Sequence, residues 1–519
     1  MSAATGHGEP RSVDDLLGVV LDGGTWRSWD SPVAAPDPAT GGYAATLARA
    51  RERSGLDEAV VTGEGRIRGR RVAVVACEFT FLAGSIGVAA GRRLVAAVER
   101  ATRERLPLLA TPASGGTRLQ EGTIAFLQML KVTAAVVEHK ASGLPYLVYL
   151  RHPTTGGVLA SWGSLGHLTA AEPGALVGFL GPRVYEALHG EPFPAGVQVA
   201  EHLHAHGLVD AVLPAAQVAE ALHRVLRVFD GARTPPGGRV AEDDGGPGPT
   251  TEAERVPATG SGAADVAGVP ATESVRWSRH ADRPGLRELL AAAAADVTPL
   301  SGTGAGEREP GLVLALARFG AASCLVVGQD RRGQRVRPLG PAGLREAQRG
   351  MRLASELRLP LVTVVDTPGA ALSPAAEEGG LAAEIARCLA ELIALPAPTL
   401  CVLLGEGAGG AALALVPADR VVAAQHAWLS PLPPEAASAV LHRTTDRADE
   451  MAEQQGIRAL DLRAAGLVDR IVAEAPADGG GFLRRLGAVV EVELTALVGR
   501  ADGERRAARR RRFRHLGTG

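Results

Sequence analysis

Lysine, cysteine and aromatic residues are nearly missing from this chain of 519 residues, and each shortage narrows what it can be. Lysine occurs only at Lys131 and Lys140, so almost all of the 55 basic residues are arginine, a bias read as composition rather than function. They are balanced by 57 acidic residues, and the formal net charge of −2 gives no global attraction for nucleic acid or a membrane surface. The four cysteines, Cys77, Cys324, Cys388 and Cys401, are scattered without a CxxC or Cys/His cluster. Buried free thiols are expected of them, and no bound metal. Aromatics supply 3% of the chain against 46% hydrophobic residues, so the core must be built from Ala, Val, Leu and Gly, which suits closely packed α/β layers. No run approaches the roughly 18 apolar residues that span a bilayer. Met1–Asp14 has no apolar stretch, so a secretory signal is not expected and a soluble, cytoplasmic protein is.

What is present falls into two halves. Residues 231–272 are rich in Pro, Gly, Thr and acid and cannot bury enough apolar surface to offset ordering. They are expected to be a disordered linker between domains at 1–230 and 273–519. Each half alternates short apolar strands with amphipathic helices. The first has Val72–Ala76, Leu106–Ala110 and Tyr146–Leu150; the second has Leu312–Ala317, Leu361–Val365 and Thr399–Leu404. Each also closes on nearly the same phrase, Ala205–Asp210 (AHGLVD) and Ala464–Asp469 (AAGLVD). Unbroken apolar strands with helical crossovers imply sheets covered on both faces, so two copies of one α/β unit are expected.

In each half two strands run into a glycine-bearing turn that opens a helix. The first half has Ala113–Arg118 with Gly115 and Gly116, then His152–Val158 with Gly156 and Gly157. The second has Asp366–Ala370 with Gly369, then Gly405–Ala411 with Gly409 and Gly410. Glycine lets the backbone approach a ligand closely, and peptide N–H groups at a helix start are unpaired and point outward. Two such donors can hold the oxygen of a thioester enolate, each contributing about 2.7–4 kcal/mol to the transition state. Strand-to-helix turns also use glycine for shape alone, and geometry by itself leaves the chemistry open.

The same residues carry a family resemblance. Phe79–Gly91, ASGGTRLQEG (Ala113–Gly122), HPTTGG (His152–Gly157) and AEPGALVGFLGPR (Ala171–Arg183) resemble the β subunit of bacterial acetyl-CoA carboxylase carboxyltransferase. SRHADRP (Ser278–Pro284), DTPGA (Asp366–Ala370), GEGAGGAAL (Gly405–Leu413) and Ser430–Ser438 resemble its α subunit. The resemblance implies a crotonase-type ββα spiral in each half, with the active site where one half meets the other. It implies acetyl-CoA or a short acyl-CoA as substrate and carboxybiotin, on a separate carrier protein, as carboxyl donor. Gly115 and Gly116, completed by Gly156 and Gly157, would hold the thioester oxygen. Gly409, Gly410 and Ala411 would hold the ureido oxygen of biotin, with Gly369 and Ala370 beside them. Neither lysine lies in a biotinylation context and no ATP-binding loop is present, so biotin carrier protein and biotin carboxylase must be other chains. A homodimer or larger even oligomer is expected. A malonyl-thioester decarboxylase and an inactive scaffold of the same fold are the rival readings.

The chain departs from the family in three places. The four-cysteine zinc finger of the β subunit is missing. DTPGA continues as Ala371-Leu372-Ser373-Pro374, and a Ser-Pro-Glu-Gly motif is stretched into Ser430–Glu435. Among charged residues, Arg92, Arg93 and Arg118 could meet CoA phosphates or be surface helix charge. His152 and His167 flank a glycine turn without a visible acid partner. Glu377 and Glu378 read as a solvated helix start, and the arginine-rich Arg505–Arg514 as a basic helix end or subunit contact.

Overall fold

A computed structural model of the chain describes residues 12–33, 42–231, 269–474 and 481–517. The six strands expected from apolar runs all form, within two sheets of seven strands each. The first half contributes β1 (Arg27–Ser28), β2 (Val60–Ile67), β3 (Arg70–Cys77), β4 (Leu108–Thr111), β5 (Tyr146–Leu150), β6 (Thr154–Thr155), β7 (Leu168–Ala171), β8 (Val177–Gly178) and β9 (Ala211–Val212). The second contributes β10 (Asp296–Leu300), β11 (Leu312–Phe319), β12 (Ala322–Gln329), β13 (Leu361–Thr367), β14 (Thr399–Gly407), β15 (Arg420–Ala424) and β16 (Arg470–Val472). The sheet orders are β1-β2-β3-β4-β5-β7-β9 and β10-β11-β12-β13-β14-β15-β16, with β6 and β8 paired apart from them. In both sheets the first two pairings are antiparallel and the last four parallel.

One α/β unit is thus present in duplicate. The repeated closing phrase does the same work in each copy. The Asp210 N–H donates to the Thr169 carbonyl at 2.7 Å, and its carboxylate accepts from the Thr169 N–H at 2.6 Å. Asp469 makes the matching pair of bonds with Val421, at 2.9 and 2.7 Å.

Strand β13 is buried at all seven positions, which suits its apolar start, Leu361 to Val365 interrupted by Thr363, while the buried Asp366 and Thr367 at its end are hydrogen-bonded. The main hydrophobic core runs through both halves, from Val60 to Leu516. A second core lies against the other face of the first sheet, where Leu16, Leu17 and Val20 of helix Val13–Val20 meet Val218 and Leu222 of helix Ala215–Gly231. All four cysteines are buried free thiols. Burial pushes Cys77, Cys324 and Cys401 up to about 12, so they are inert at neutral pH. Among the described residues no helix is long and apolar enough to cross a membrane.

Both ends of the segment expected as a linker, 231–272, lie in helices. Gly231 closes the helix from Ala215, and Ala271 opens the helix Ala271–Arg279 with its side chain buried. Burial against Trp428 and Ile457 orders this last stretch, which local composition does not register. Residues 232–268 lie outside the described residues.

The arginine-rich tail also differs from its expectation. Helix Asp502–His515 turns Arg505 and Arg509 inward. Arg505 bonds the carbonyls of Pro396 and Ala397, and Arg509 bonds those of Leu392, Leu395 and Ala397. Both also pair with the buried carboxylate of Asp419. They satisfy the open carbonyls after helix Leu381–Ala394, where cations are favoured. From the first half, Lys131 Nζ donates to the Leu516 carbonyl at 3.1 Å, so the tail clasps both halves.

Candidate active site

In the first half, β4 delivers Ser114, Gly115 and Gly116 against the turn that follows β6. The Thr155 N–H donates to the Ser114 carbonyl at 2.8 Å, locking the two turns together. The amides of the first turn are engaged internally. Gly115 N–H donates to the Ala83 carbonyl at 2.8 Å, and Gly116 N–H to Ser114 Oγ at 3.0 Å. Gly116 has φ +100°, and a Cβ there would stand 2.9 Å from the Gly157 nitrogen. Gly116 is therefore the floor under the second turn.

That second turn opens the short helix Gly156–Leu159. Gly156 has φ +65°, and its N–H donates to the Phe179 carbonyl at 3.0 Å. Among the described residues no acceptor meets the Gly157 N–H. Of the four glycines expected to hold the thioester oxygen, Gly115, Gly116, Gly156 and Gly157, the last keeps an unengaged N–H among the described residues.

In the second half the two turns are tied by Arg283, from the SRHADRP segment. Its Nη2 donates to both oxygens of the Asp366 carboxylate, at 2.6 and 2.7 Å, while Nε and Nη1 donate to the carbonyls of Ser278 and Leu404. Asp366 in turn accepts from the Glu406 N–H at 3.2 Å. A Cβ at Gly405 would fall 2.1 Å from the Arg283 guanidinium, so this glycine is required by packing. Gly369 N–H donates to Thr367 Oγ1 at 3.1 Å, and Ala370 bridges to Leu339.

Helix Gly409–Leu413 begins with Gly409, at φ +67°, donating to the Ser430 carbonyl at 2.8 Å. Among the described residues the N–H groups of Gly410 and Ala411 meet no acceptor. They face outward at a helix start, the arrangement that holds an oxyanion.

The two helix starts come into contact across the halves, and Phe179 lies between them. Its carbonyl holds Gly156, and its ring would stand 3.0 Å from a Cβ on Gly410. Its N–H donates to Glu377 at 2.8 Å, and Gln198 Nε2 donates to the same carboxylate at 2.7 Å. Burial pushes the Glu377 carboxyl up, while these donors hold it down. Two pairs of turns, one from each half, therefore converge on one locus.

The chain matches the family described as "Carboxyl transferase domain" over residues 40–235, and "Acetyl co-enzyme A carboxylase carboxyltransferase-like" over residues 266–517. It is 55% identical over 511 residues to the probable biotin-dependent acyl-coenzyme A carboxylase beta3 subunit of Mycobacterium tuberculosis (strain H37Rv), covering 98% of each chain. It is 38% identical over 489 residues to the acetyl-coenzyme A carboxylase carboxyl transferase subunits beta/alpha of Salinispora arenicola, covering 92% of this chain and 84% of that one. The chain belongs to the carboxyltransferases of biotin-dependent acyl-CoA carboxylases. Its β-like and α-like parts are joined in one polypeptide.

Within this carboxyltransferase, two of the three candidate phosphate ligands are engaged elsewhere. Arg118 is buried and bonded to both carboxylate oxygens of Glu58, as well as to Ser85 and Glu121. Arg93 is buried and bonded to Asp57 and the Val60 carbonyl. Their charges are matched inside the first half, so neither is available to a ligand. Arg92, on the next face of the same helix, is exposed. The two histidines are also occupied: His152 Nδ1 accepts from Leu176 N–H at 3.1 Å, and His167 Nδ1 from Tyr146 N–H at 3.0 Å. Glu377 and Glu378 are not a solvated helix start. Helix Pro374–Glu378 packs on the first half, and its two carboxylates reach Phe179 and His202.

Sequence reasoning passed over Phe179 and Arg283, and read Glu377 as solvated, although all three hold the turns of this locus together. Arg283 and Phe179 each sit in a quoted motif, which is the signal that could have raised them. Nothing local distinguishes Glu377, because its partners lie 179 and 198 residues away.

Proposed function

We propose that this chain transfers the carboxyl group of carboxybiotin to acetyl-CoA or a short acyl-CoA, giving malonyl-CoA or its homologue for fatty acid biosynthesis. The observation that carries the reading is the meeting of two unengaged donor sets across Phe179: Gly157 from the first half, and Gly410 with Ala411 from the second. Gly157 is assigned the thioester oxygen, with Gly115, Gly116 and Gly156 shaping its cradle. Gly410 and Ala411 are assigned the ureido oxygen of biotin, with Gly409, Gly369 and Ala370 shaping theirs. These backbone donors suit a neutral carbonyl that gains negative charge, since they need no reorganisation as charge develops.

When bound, carboxybiotin supplies the carboxyl group and, once decarboxylated, a base for the acyl α-proton. The chain's part is electrostatic and steric. Gly157 stabilises the enolate, and Phe179 helps exclude water that would reprotonate it. Exposed Arg92 is the remaining side-chain candidate for CoA phosphates. Carrier protein and biotin carboxylase come from separate chains, and the working form is a cytoplasmic homodimer or larger even oligomer.

The test is an assay of the purified chain with carboxylated carrier protein and a panel of acyl-CoAs. Carboxylation of acetyl-CoA faster than of longer thioesters is expected. Preference for a long-chain thioester would overturn the substrate, and no transfer to any would overturn the activity.

A further inference from the structure

Helix Ala200–Ala205 carries His202 and ends against His206, four residues on and therefore on the same face. Glu378 reaches this face from the second half. One ring nitrogen of each histidine and one oxygen of Glu378 all lie within 4.8 Å of one another, the one such group of three among the described residues. His202 Nε2 is 3.1 Å from Glu378 Oε1, and the two imidazoles stand 4.3 Å apart between centroids. Tetrahedral zinc bonds of about 2.0–2.1 Å separate neighbouring ligand atoms by roughly 3.3 Å. Small side-chain rotations would bring the trio to that spacing.

The outer contacts suit a metal too. His206 Nδ1 lies 2.9 Å from the His202 carbonyl. A metal-ligating histidine commonly donates its other ring N–H in this way, which leaves Nε2 to ligate. His202 and Glu378 are about one-third exposed and His206 is exposed, so an ion has access and a fourth position stays open to water. Imidazole ligands favour zinc and its neighbours over magnesium or calcium.

We propose that His202, His206 and Glu378 form a three-ligand site for a zinc-class divalent ion that staples the two halves together. The staple sits one residue from Glu377, whose carboxylate holds Phe179 between the two donor sets. Its occupancy would therefore fasten the interface on which the site is assembled. It runs against the expectation of no metal, which rested on the absence of a CxxC or Cys/His cluster in the sequence.

The experiment uses the full chain, stripped with a chelator and then titrated with zinc against a chromophoric competitor. Metal content is measured after dialysis, and cobalt substitution reports geometry. One zinc per chain is expected, with a tetrahedral cobalt spectrum and a melting temperature that rises with zinc but not with magnesium. His206→Ala and Glu378→Gln should each weaken zinc binding tenfold or more, and abolish the zinc-dependent rise in melting temperature. His206 is exposed, so that variant should fold, as circular dichroism would verify. Substoichiometric zinc in the parent, or unchanged affinity in both variants, would overturn the proposal. Neither result depends on turnover, so the carboxyltransferase reading is tested separately.

Discussion

The two halves share one sheet order and one backbone bond between their glycine turns, but the second half adds a charge clamp to it. In the first half the turns brace each other directly, Ser114 against Thr155 and Gly116 beneath Gly157. The buried ion pair of that half, Arg118 with Glu58, lies to the side and holds Ser85. In the second half the same brace recurs, Ala408 N–H donating to the Thr367 carbonyl at 3.1 Å, and the ion pair reinforces it, because Arg283 and Asp366 join the DTPGA turn to the turn that opens Gly409–Leu413. One unit can thus hold its turns by the backbone alone or with a charge clamp added. The brace is retained while its reinforcement changes.

The largest effect should come from breaking the clamp. Arg283→Leu leaves the buried Asp366 carboxylate without its cation, which costs about 3–5 kcal/mol. A denaturant melt should show that loss, and Arg283→Lys should recover only part of it, because one ammonium cannot reach Asp366 and the Ser278 and Leu404 carbonyls together.

The next effect tests the donors themselves. Gly116→Val would drive a side chain toward the Gly157 nitrogen, and Gly410→Val one into Phe179. Each should lower turnover by about 10²–10³, the loss for one oxyanion donor. Gly116→Val should leave CoA binding and oligomeric state intact, while Gly410→Val should spare acyl-CoA binding and damage use of carboxybiotin. Single-turnover kinetics with each substrate in excess would separate them. Parental rates in both variants would reduce these glycines to turns.

A smaller effect is expected at Gly369. Its Cβ would meet open space, but φ is +135°, a conformation side chains rarely adopt. Gly369→Ala should cost about 1–3 kcal/mol of stability through backbone strain. It should slow turnover far less than Gly410→Val, since its N–H is already engaged with Thr367.

The smallest effect probes the charge around the clamp. Glu474 is raised to about 7, chiefly by burial, with Arg283 opposing. Its Oε2 is buried without a partner among the described residues. The folded state therefore keeps a proton that the unfolded chain releases above its ordinary 4.5. Stability should fall as pH rises from about 4.5 to about 7 and stay lower beyond. Glu474→Gln should remove this dependence, gaining about 1–3 kcal/mol at pH 8 and nothing at pH 4, read from melts at the two pH values.

Much of the architecture was legible from local pattern. A strand buried on both faces is mostly apolar, so β5, β13 and β14 announce themselves, and the AHGLVD and AAGLVD phrases expose the repeat. The glycine turns were legible because positive φ and close backbone approach admit few other residues. Which amide stays free was not legible. That depends on where Ala83, Ser114 and Phe179 place their acceptors, and no spacing rule encodes it. The arginines mislead for the same reason. Arg92, Arg93 and Arg118 are one residue type in sequence, yet only packing decides which meets Glu58 or Asp57 and which faces water. Sequence by itself determined the duplicated sheets, the turns and the family, because each follows from interactions within a few residues or from a quoted motif. Tertiary structure alone decided which amides stay unengaged, the Glu377 clamp and the His202, His206 and Glu378 trio, because their partners lie far apart in sequence and meet only in the folded chain.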